Sequence, residues 1–335
     1  MKLILKILKK IGFAIGAILL LLVLAGLIFR LIGPNPQQPL GKLVDIGGFK
    51  LHINAAGKKN DKPTLVIESG SGSATEYYHW LREGLKDSLR VVLYDRAGVG
   101  YSEASNTSRD AETICHELHT LLEKTGEAPP YILAGHSLGG SYIRVFAELY
   151  PDEVAGLVFI DATHPDQVER LGAAPASSFR FTSVIGALNV TTILGDLGVL
   201  GLLQSLTGPI FTKEGLPDEI NKRTADFLLN GKCLQAYKEE LKHYHATLKR
   251  AGEANEFGSL PIRVFTAVEI NKEAYRKSGI DPEQHLSKKI QAQKEFTNLS
   301  TNGKQILIDG NHSTIFTKKE NAAIICKEII QVLEE

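Results

Sequence analysis

The sequence predicts an α/β fold: a mostly parallel, eight-stranded sheet with a helical insertion, preceded by an apolar N-terminal helix. Three observations carry that prediction. From residue 41 onward, short apolar runs alternate with helix-like stretches, the pattern of strands joined by right-handed helical crossovers. Between residues 164 and 257 the alternation stops and only helical patterning remains. Ahead of all this, Ile11 to Phe29 is an uncharged stretch, mostly of Leu, Ile, Val, Ala and Gly.

At about 1.5 Å per residue, a helix over 11–29 covers about 30 Å, the thickness of a bilayer core. Lys2, Lys6, Lys9 and Lys10 precede it and Arg30 follows. The excess of cations on the N-terminal side predicts a single-pass anchor with its N-terminus cytoplasmic and the body outside. The competing reading is a cleaved signal peptide. Its apolar core is usually shorter, and no small-x-small cleavage pattern stands before Gly33-Pro34. The expected organisation is therefore an anchor over 1–32, a stiff spacer over 33–40 with Pro34, Pro36 and Pro39, and a folded domain over 41–335.

Within that domain the elements follow in order. Leu43–Ile46 and Phe49–Asn54 flank Gly47-Gly48, a hairpin signal. Thr64–Ile67 is a wholly apolar, buried type of strand. A Gly/Ser loop from Glu68 to Ser73 leads into a helix near Glu76–Lys86. The next strand, Arg90–Tyr94, ends in a glycine-bearing loop, Asp95 to Ser102. A helix over Arg109–Lys124 stops at Gly126, and the strand 131–134 follows Pro129-Pro130. A helix over 142–150 stops at Pro151, and Val154–Ile160 is the sixth strand. The insertion, 164–257, holds apolar pieces (Ser183–Leu203) and a charged amphipathic stretch (Asp218–Arg250). Strands resume at Ile262–Ala267 and Gln305–Ile308, separated by a helix near Pro282–Leu299 and followed by one over Lys318–Leu333.

Composition narrows the function. Basic and acidic residues balance at 38 each, but residues 1–30 hold five cations and no acid, so the body is mildly acidic. That argues against a nucleic-acid partner, which needs a concentrated positive face. The 3 cysteines are far apart and give neither a disulfide framework nor metal spacing. No metal or cofactor is expected. The loop 68–73 lacks the terminal Gly-Lys-Ser/Thr of a phosphate cradle.

The chemistry concentrates at Gly135-His136-Ser137-Leu138-Gly139. A strand precedes it and a helix follows, so Ser137 stands at the apex of a sharp turn that pushes its hydroxyl out of the sheet. The alternative is a glycine-rich strand-to-helix turn with an idle serine. Further motifs are Asp95-Arg96-Ala97-Gly98-Val99-Gly100-Tyr101-Ser102, Tyr150-Pro151-Asp152-Glu153-Val154, Ile160-Asp161-Ala162-Thr163-His164-Pro165, and a histidine after the last strand. In that order, these motifs make residues 41–335 resemble the α/β-hydrolase family, in its capped, serine esterase-like subgroup. The anchor lies outside the resemblance.

A serine hydroxyl needs a base to act as a nucleophile. Of the 10 histidines, His312 in Asp309-Gly310-Asn311-His312-Ser313 fits the chain order serine, acid, histidine. Asp309 is expected to cap that turn. His136 follows the strand into the fold, and His243 and His245 belong to the insertion, either lining a pocket or partly exposed. The resemblance implies an acid either after the 262–267 strand, where only Glu269 stands, or at the end of the preceding strand, where Asp161 stands. Asp161 is the preferred reading and Glu269 the alternative. The oxyanion donors are expected to be the backbone amides of Leu138 and Ser71. Asp95 and Arg96 read as structural, Arg96 bonding loop carbonyls or a carboxylate. Tyr77, Tyr78, His79 and Trp80 either wall an acyl pocket or enter the core.

The resemblance thus implies a serine hydrolase acting on a small-molecule carboxylic ester through an acyl-enzyme on Ser137; the N-terminal segment, read separately, adds the membrane anchor and points to a lipid-derived ester. Alternatives on the same residues are an acyltransferase, a peptidase, a thioesterase, or a non-catalytic binding protein.

Overall fold

The structure, a computed structural model, describes residues 2–34 and 37–333. Pro36 of the expected spacer lies outside the described residues. In chain order the elements are α1 (Lys2–Ile32), β1 (Lys42–Asp45), β2 (Lys50–Ala56), β3 (Thr64–Glu68), α2 (His79–Leu85), β4 (Val91–Asp95), α3 (Ala111–Thr125), β5 (Tyr131–His136), α4 (Gly139–Leu149) and β6 (Val154–Ile160). Then come α5 (Gln167–Leu171), α6 (Phe179–Asp196), α7 (Val199–Thr207), α8 (Asp218–Leu228) and α9 (Gly231–Glu253). The chain closes with β7 (Ile262–Ala267), α10 (Lys272–Lys277), α11 (Pro282–Glu295), β8 (Gly303–Ile308), α12 (Thr314–Thr317) and α13 (Lys319–Val332).

The strands form one eight-stranded sheet in the order β1-β2-β4-β3-β5-β6-β7-β8. β1 pairs antiparallel with β2, and β2 with β4; the other neighbours are parallel. The predicted fold class is the observed one. Because side chains alternate across a strand, even a continuous apolar run feeds two cores. Val66, Leu133 and Phe159 pack with α3 and α4 on one face; Ile67, Ala134 and Ile160 pack with α2 and α13 on the other.

Local chemistry sets the helix ends. Asp110 caps α3 by accepting from the Thr113 amide at 2.9 Å, and Gly126 ends it with φ 64°. The helix expected over 76–86 begins instead as a 3₁₀ turn, Thr75–Tyr78, and the one expected to reach Leu299 ends in another, Phe296–Leu299. Residues 164–257 carry no strand.

The helix α1 contains the whole predicted apolar segment, and its side chains are largely exposed. Toward its C-terminal end it packs on α7. A Cβ at Gly26 would lie 2.7 Å from Leu197 O and 2.8 Å from Val199 Cγ2. Arg30 Nη1 donates to Asp196 O at the α6–α7 bend.

Candidate active site

Strand β5 delivers its last residues to the carboxyl edge of the sheet, where open α/β sheets bind ligands. The turn that follows is extremely tight. A Cβ at Gly135 would lie 2.5 Å from Gly139 O, and one at Gly139 would lie 2.8 Å from Ser69 O. Only glycine fits at either place. The turn forces Ser137 to φ 54°, a conformation that side-chain-bearing residues avoid at some cost.

Among the described residues only one other non-glycine residue has positive φ: Asp161, at 42°. It ends β6, the neighbour of β5. The two strained turns are laced together. Ser137 N donates to Ile160 O at 3.3 Å, Thr163 N donates to Ser137 O at 2.9 Å, and Asp161 N donates to Phe265 O at 2.7 Å.

His312 arrives from the turn between β8 and α12. Asn311 shapes that turn: its Oδ1 accepts from Ser313 N at 2.9 Å and Thr314 N at 3.0 Å. Asp309, expected to be the cap, is exposed and contributes only its carbonyl, to Asn321 Nδ2. Asn311 can make both bonds because it stands two residues closer than Asp309 to the amides that need an acceptor.

The acid beside the imidazole is Asp161. His312 Nδ1 lies 2.7 Å from Asp161 Oδ2. Asp161 is buried, and burial alone would favour its neutral form. The His312 hydrogen bond and the Lys289 charge outweigh it and hold the carboxyl well below the usual carboxylate range. An ionised carboxylate only accepts, so Nδ1 carries a proton, and it is Nε2 that holds the lone pair in the neutral form of the ring. Glu269 is exposed, and its backbone N–H goes to Gly310 O.

Lys289, from α11, was not visible as a site residue in the sequence. Its Nζ lies 2.8 Å from Asp161 Oδ1 and 2.9 Å from Oδ2, and it also donates to Ala267 O at 2.9 Å. Ala267 N completes the cradle, donating to Asp161 Oδ1 at 3.1 Å.

His136 is buried beside Ser137 and bridges two loops. Its Nε2 lies 2.9 Å from the His312 carbonyl, which can only accept, so Nε2 carries the proton. Nδ1 then accepts from the Tyr78 hydroxyl at 3.1 Å, and Tyr78 in turn accepts from Gly70 N at 3.0 Å. Tyr78 is fully buried and stacks on Phe316 with ring centroids 4.6 Å apart, so it belongs to the core. His243 and His245 are half-buried and bond to Ser108 Oγ and Ala174 O respectively.

The loop after β3 is gripped from beneath. Arg96 Nη1 donates to Ser69 O and Nη2 to Gly70 O, each at 2.7 Å. Arg96 also meets Glu68, and its Nε donates to Glu240 Oε1 at 2.8 Å. Glu240, on α9, accepts from Ser71 Oγ at 2.8 Å and Gly72 N at 2.9 Å through Oε2. Burial pushes the Glu68 carboxyl up against the pull of Arg96; Glu240 is equally buried but is held low by Arg96 and its loop donors. Arg96 bonds the carbonyls the sequence suggested, and Asp95 is structural too, accepting from Thr75 N at 3.1 Å and Tyr101 N at 3.2 Å. Leu138 sits buried at the head of α4.

A cavity of about 340 Å³ opens beside α9, lined in part by Gly98, Arg109, Lys232 and Glu239, and neither Ser137 nor His312 lines it. Among the described residues no cluster of three or more His, Cys, Asp or Glu side chains could hold a metal ion.

The comparisons with known proteins agree with this architecture. A sequence model described as alpha/beta hydrolase fold matches residues 63–183. The uncharacterized protein YbdG of Bacillus subtilis is 33% identical over 173 residues, covering 50% of this chain and 53% of YbdG. The human (lyso)-N-acylphosphatidylethanolamine lipase is 28% identical over 156 residues, covering 44% of this chain and 46% of the lipase. The match thus spans about half the length of these relatives. A thermophilic esterase from Thermogutta terrifontis superposes with a TM-score of 0.55 at 20% identity, covering 86% of this chain and 95% of the esterase. The chain is therefore built on the α/β-hydrolase fold, with proteins named as lipases and esterases among its relatives and structural neighbours.

Proposed function

We propose that the chain is a membrane-anchored serine hydrolase that cleaves carboxylic esters. The observation that carries this reading is the pairing of His312 with Asp161 beside the strained Ser137 elbow, three side chains from three strand ends of one sheet edge. In the proposed reaction Ser137 Oγ attacks the ester carbonyl carbon and its proton passes to His312 Nε2. Asp161 holds the resulting imidazolium. The amides of Leu138 and Ser71 donate to the oxyanion, each worth about 3 kcal/mol in the transition state. The intermediate collapses, and the leaving alcohol takes the proton from His312. Water repeats the sequence on the acyl-enzyme and releases the acid. No metal or cofactor takes part in this scheme.

The substrate reading is a lipid-derived ester. The relative named for N-acylphosphatidylethanolamine supports it, as does α1, which is long and apolar enough to cross a membrane. By the cation distribution, α1 is an uncleaved anchor with its N-terminus cytoplasmic and the hydrolase body outside. Residues 164–257 act as a cap over the sheet edge.

The test is labelling of the full chain in detergent by a fluorophosphonate probe. Wild type is expected to label and Ser137→Ala not to. A wild-type protein that folds yet takes no label would remove the catalytic reading and leave a binding protein.

A further inference from the structure

We infer that the α6–α7 elbow is a membrane-seated surface: this part of the insertion rests in the lipid leaflet that α1 exits. The inference builds on the anchor reading of α1 and adds a second contact with the same bilayer. Its starting point is where α7 touches α1. Gly26 and Phe29 form the contact, Gly26 against Leu197 and Val199, and Phe29 within 3.1 Å of where a Cβ would stand on Gly201. Both belong to the apolar part of α1, ahead of Arg30, the first charge after it. At about 1.5 Å per residue, Gly26 lies about 6 Å deeper than Arg30 along the helix. Whatever medium surrounds α1 at that level therefore surrounds the start of α7.

The surface has the chemistry for that medium. Between Arg180 and Lys213 the chain contains one charged residue, Asp196. Asp196 sits at the bend, its carbonyl taking the Arg30 guanidinium and its carboxylate against Gly231 of α9. Together α6 and α7 are apolar enough to form a membrane span, but a 79° bend prevents them from running straight across. They instead expose Val190, Ile193, Leu203 and Leu206, with Ile210 and Phe211 just beyond; Leu206 is 76% exposed. So many exposed apolar side chains on neighbouring helices call for a cover, and their continuity with α1 identifies the cover as lipid. Just past this surface Lys213 Nζ reaches Ser313 Oγ at 3.2 Å, next to His312. The lipid-facing segment thus leads directly to the candidate active site, the route an ester leaving a leaflet would take.

The test uses the full chain in phosphatidylcholine vesicles. Cys115, Cys233 and Cys326 are buried, so an introduced cysteine is the accessible thiol for an environment-sensitive dye. Dye is attached in separate variants at Leu206→Cys, Leu203→Cys, Leu20→Cys in mid-anchor and Lys277→Cys on α10. Quenching is read with lipids that carry a nitroxide near the headgroup or near the chain end. The expected result is quenching at positions 206 and 203 several-fold above that at 277, strongest with the headgroup-proximal nitroxide, while position 20 responds most to the deep one. If 20 is quenched but 206 and 203 behave like 277, the anchor reading stands and this inference is overturned. If 20 is not quenched either, both fall. Dye–dye transfer between molecules at 206 without lipid quenching would assign the surface to a second copy and also overturn it. Far-ultraviolet circular dichroism of each variant checks that it is folded.

Discussion

Lys289 and His312 share one carboxylate. The ammonium lies within 2.9 Å of both oxygens of Asp161, and the imidazole Nδ1 takes Oδ2 at 2.7 Å. The cation therefore offsets part of the charge that steadies an imidazolium on His312.

Removing that cation has a signed consequence. In Lys289→Met, Asp161 holds its full charge for His312, and the imidazolium is favoured. The acid limb of the kcat/KM profile for an ester substrate is expected to move to higher pH by about one unit. A variant that is merely misfolded loses activity at every pH without moving the limb.

The choice of acid is tested by a paired substitution. Asp161→Asn reverses the hydrogen-bond preference at Nδ1 and is expected to lower kcat by about 10³- to 10⁴-fold. Glu269→Gln, on an exposed residue, is expected to change kcat by less than about twofold. The opposite ranking in steady-state kinetics would move the acid to Glu269.

Glu240 links α9 to the loop after β3. Glu240→Ala leaves Arg96 with Glu68 as its one remaining carboxylate and leaves Ser71 Oγ and Gly72 N without theirs. Breaking such a buried pair is expected to cost about 3–5 kcal/mol in urea unfolding. In the protein that remains folded, kcat is expected to fall more than KM rises, because the loop bears the Ser71 amide.

Tyr78→Phe deletes one hydroxyl that serves two buried partners, Gly70 N and His136 Nδ1. Each loses its bond in a place water does not reach, and the expected loss is about 2 kcal/mol. Thermal or urea unfolding measures it; a loss below a few tenths would mean that the network relaxes around the gap.

His136 gives a pH dependence of stability. Burial, reinforced by neighbouring His312, pushes its imidazole well below the ordinary range. The folded protein keeps it neutral, whereas the unfolded chain protonates it near pH ~6.5. The stability it contributes is complete above that pH and is lost as pH falls, by about 1.4 kcal/mol per unit. His136→Gln removes this slope, so wild type is expected to lose more stability than the variant between neutral pH and the mid-fives. Equal losses would reject the assignment.

Much of this was readable in the residue order because it depends on local chemistry. The elbow needs glycines on either side of Ser137, and the buried strands need unbroken apolar runs; both leave a mark within a few residues. His312 was readable from its place after the last strand. Lys289 and Glu240 were not, since each acquires its role from a partner more than a hundred positions away. Lys289 reads as one half of a Lys-Lys pair on a polar helix, and Glu240 as one charge in a charged amphipathic stretch, yet Glu240 is fully buried. The choice between Asp161 and Glu269 had the same cause: two strand ends are equivalent until the sheet is assembled. The short helices α5, α10 and α12 have four to six residues, too few to show a period.

Because the carboxylate that meets His312 stands at the end of β6, β7 gives the charge pair only the backbone of Ala267. Val268 and Glu269 still tie their backbone amides to Ile308 and Gly310, but in the proposed scheme the stretch beyond them, Lys272 to Ile280, carries no catalytic group. It is a place where the chain can gain or lose residues, or accept an inserted epitope or reporter, with the proton-handling groups left untouched.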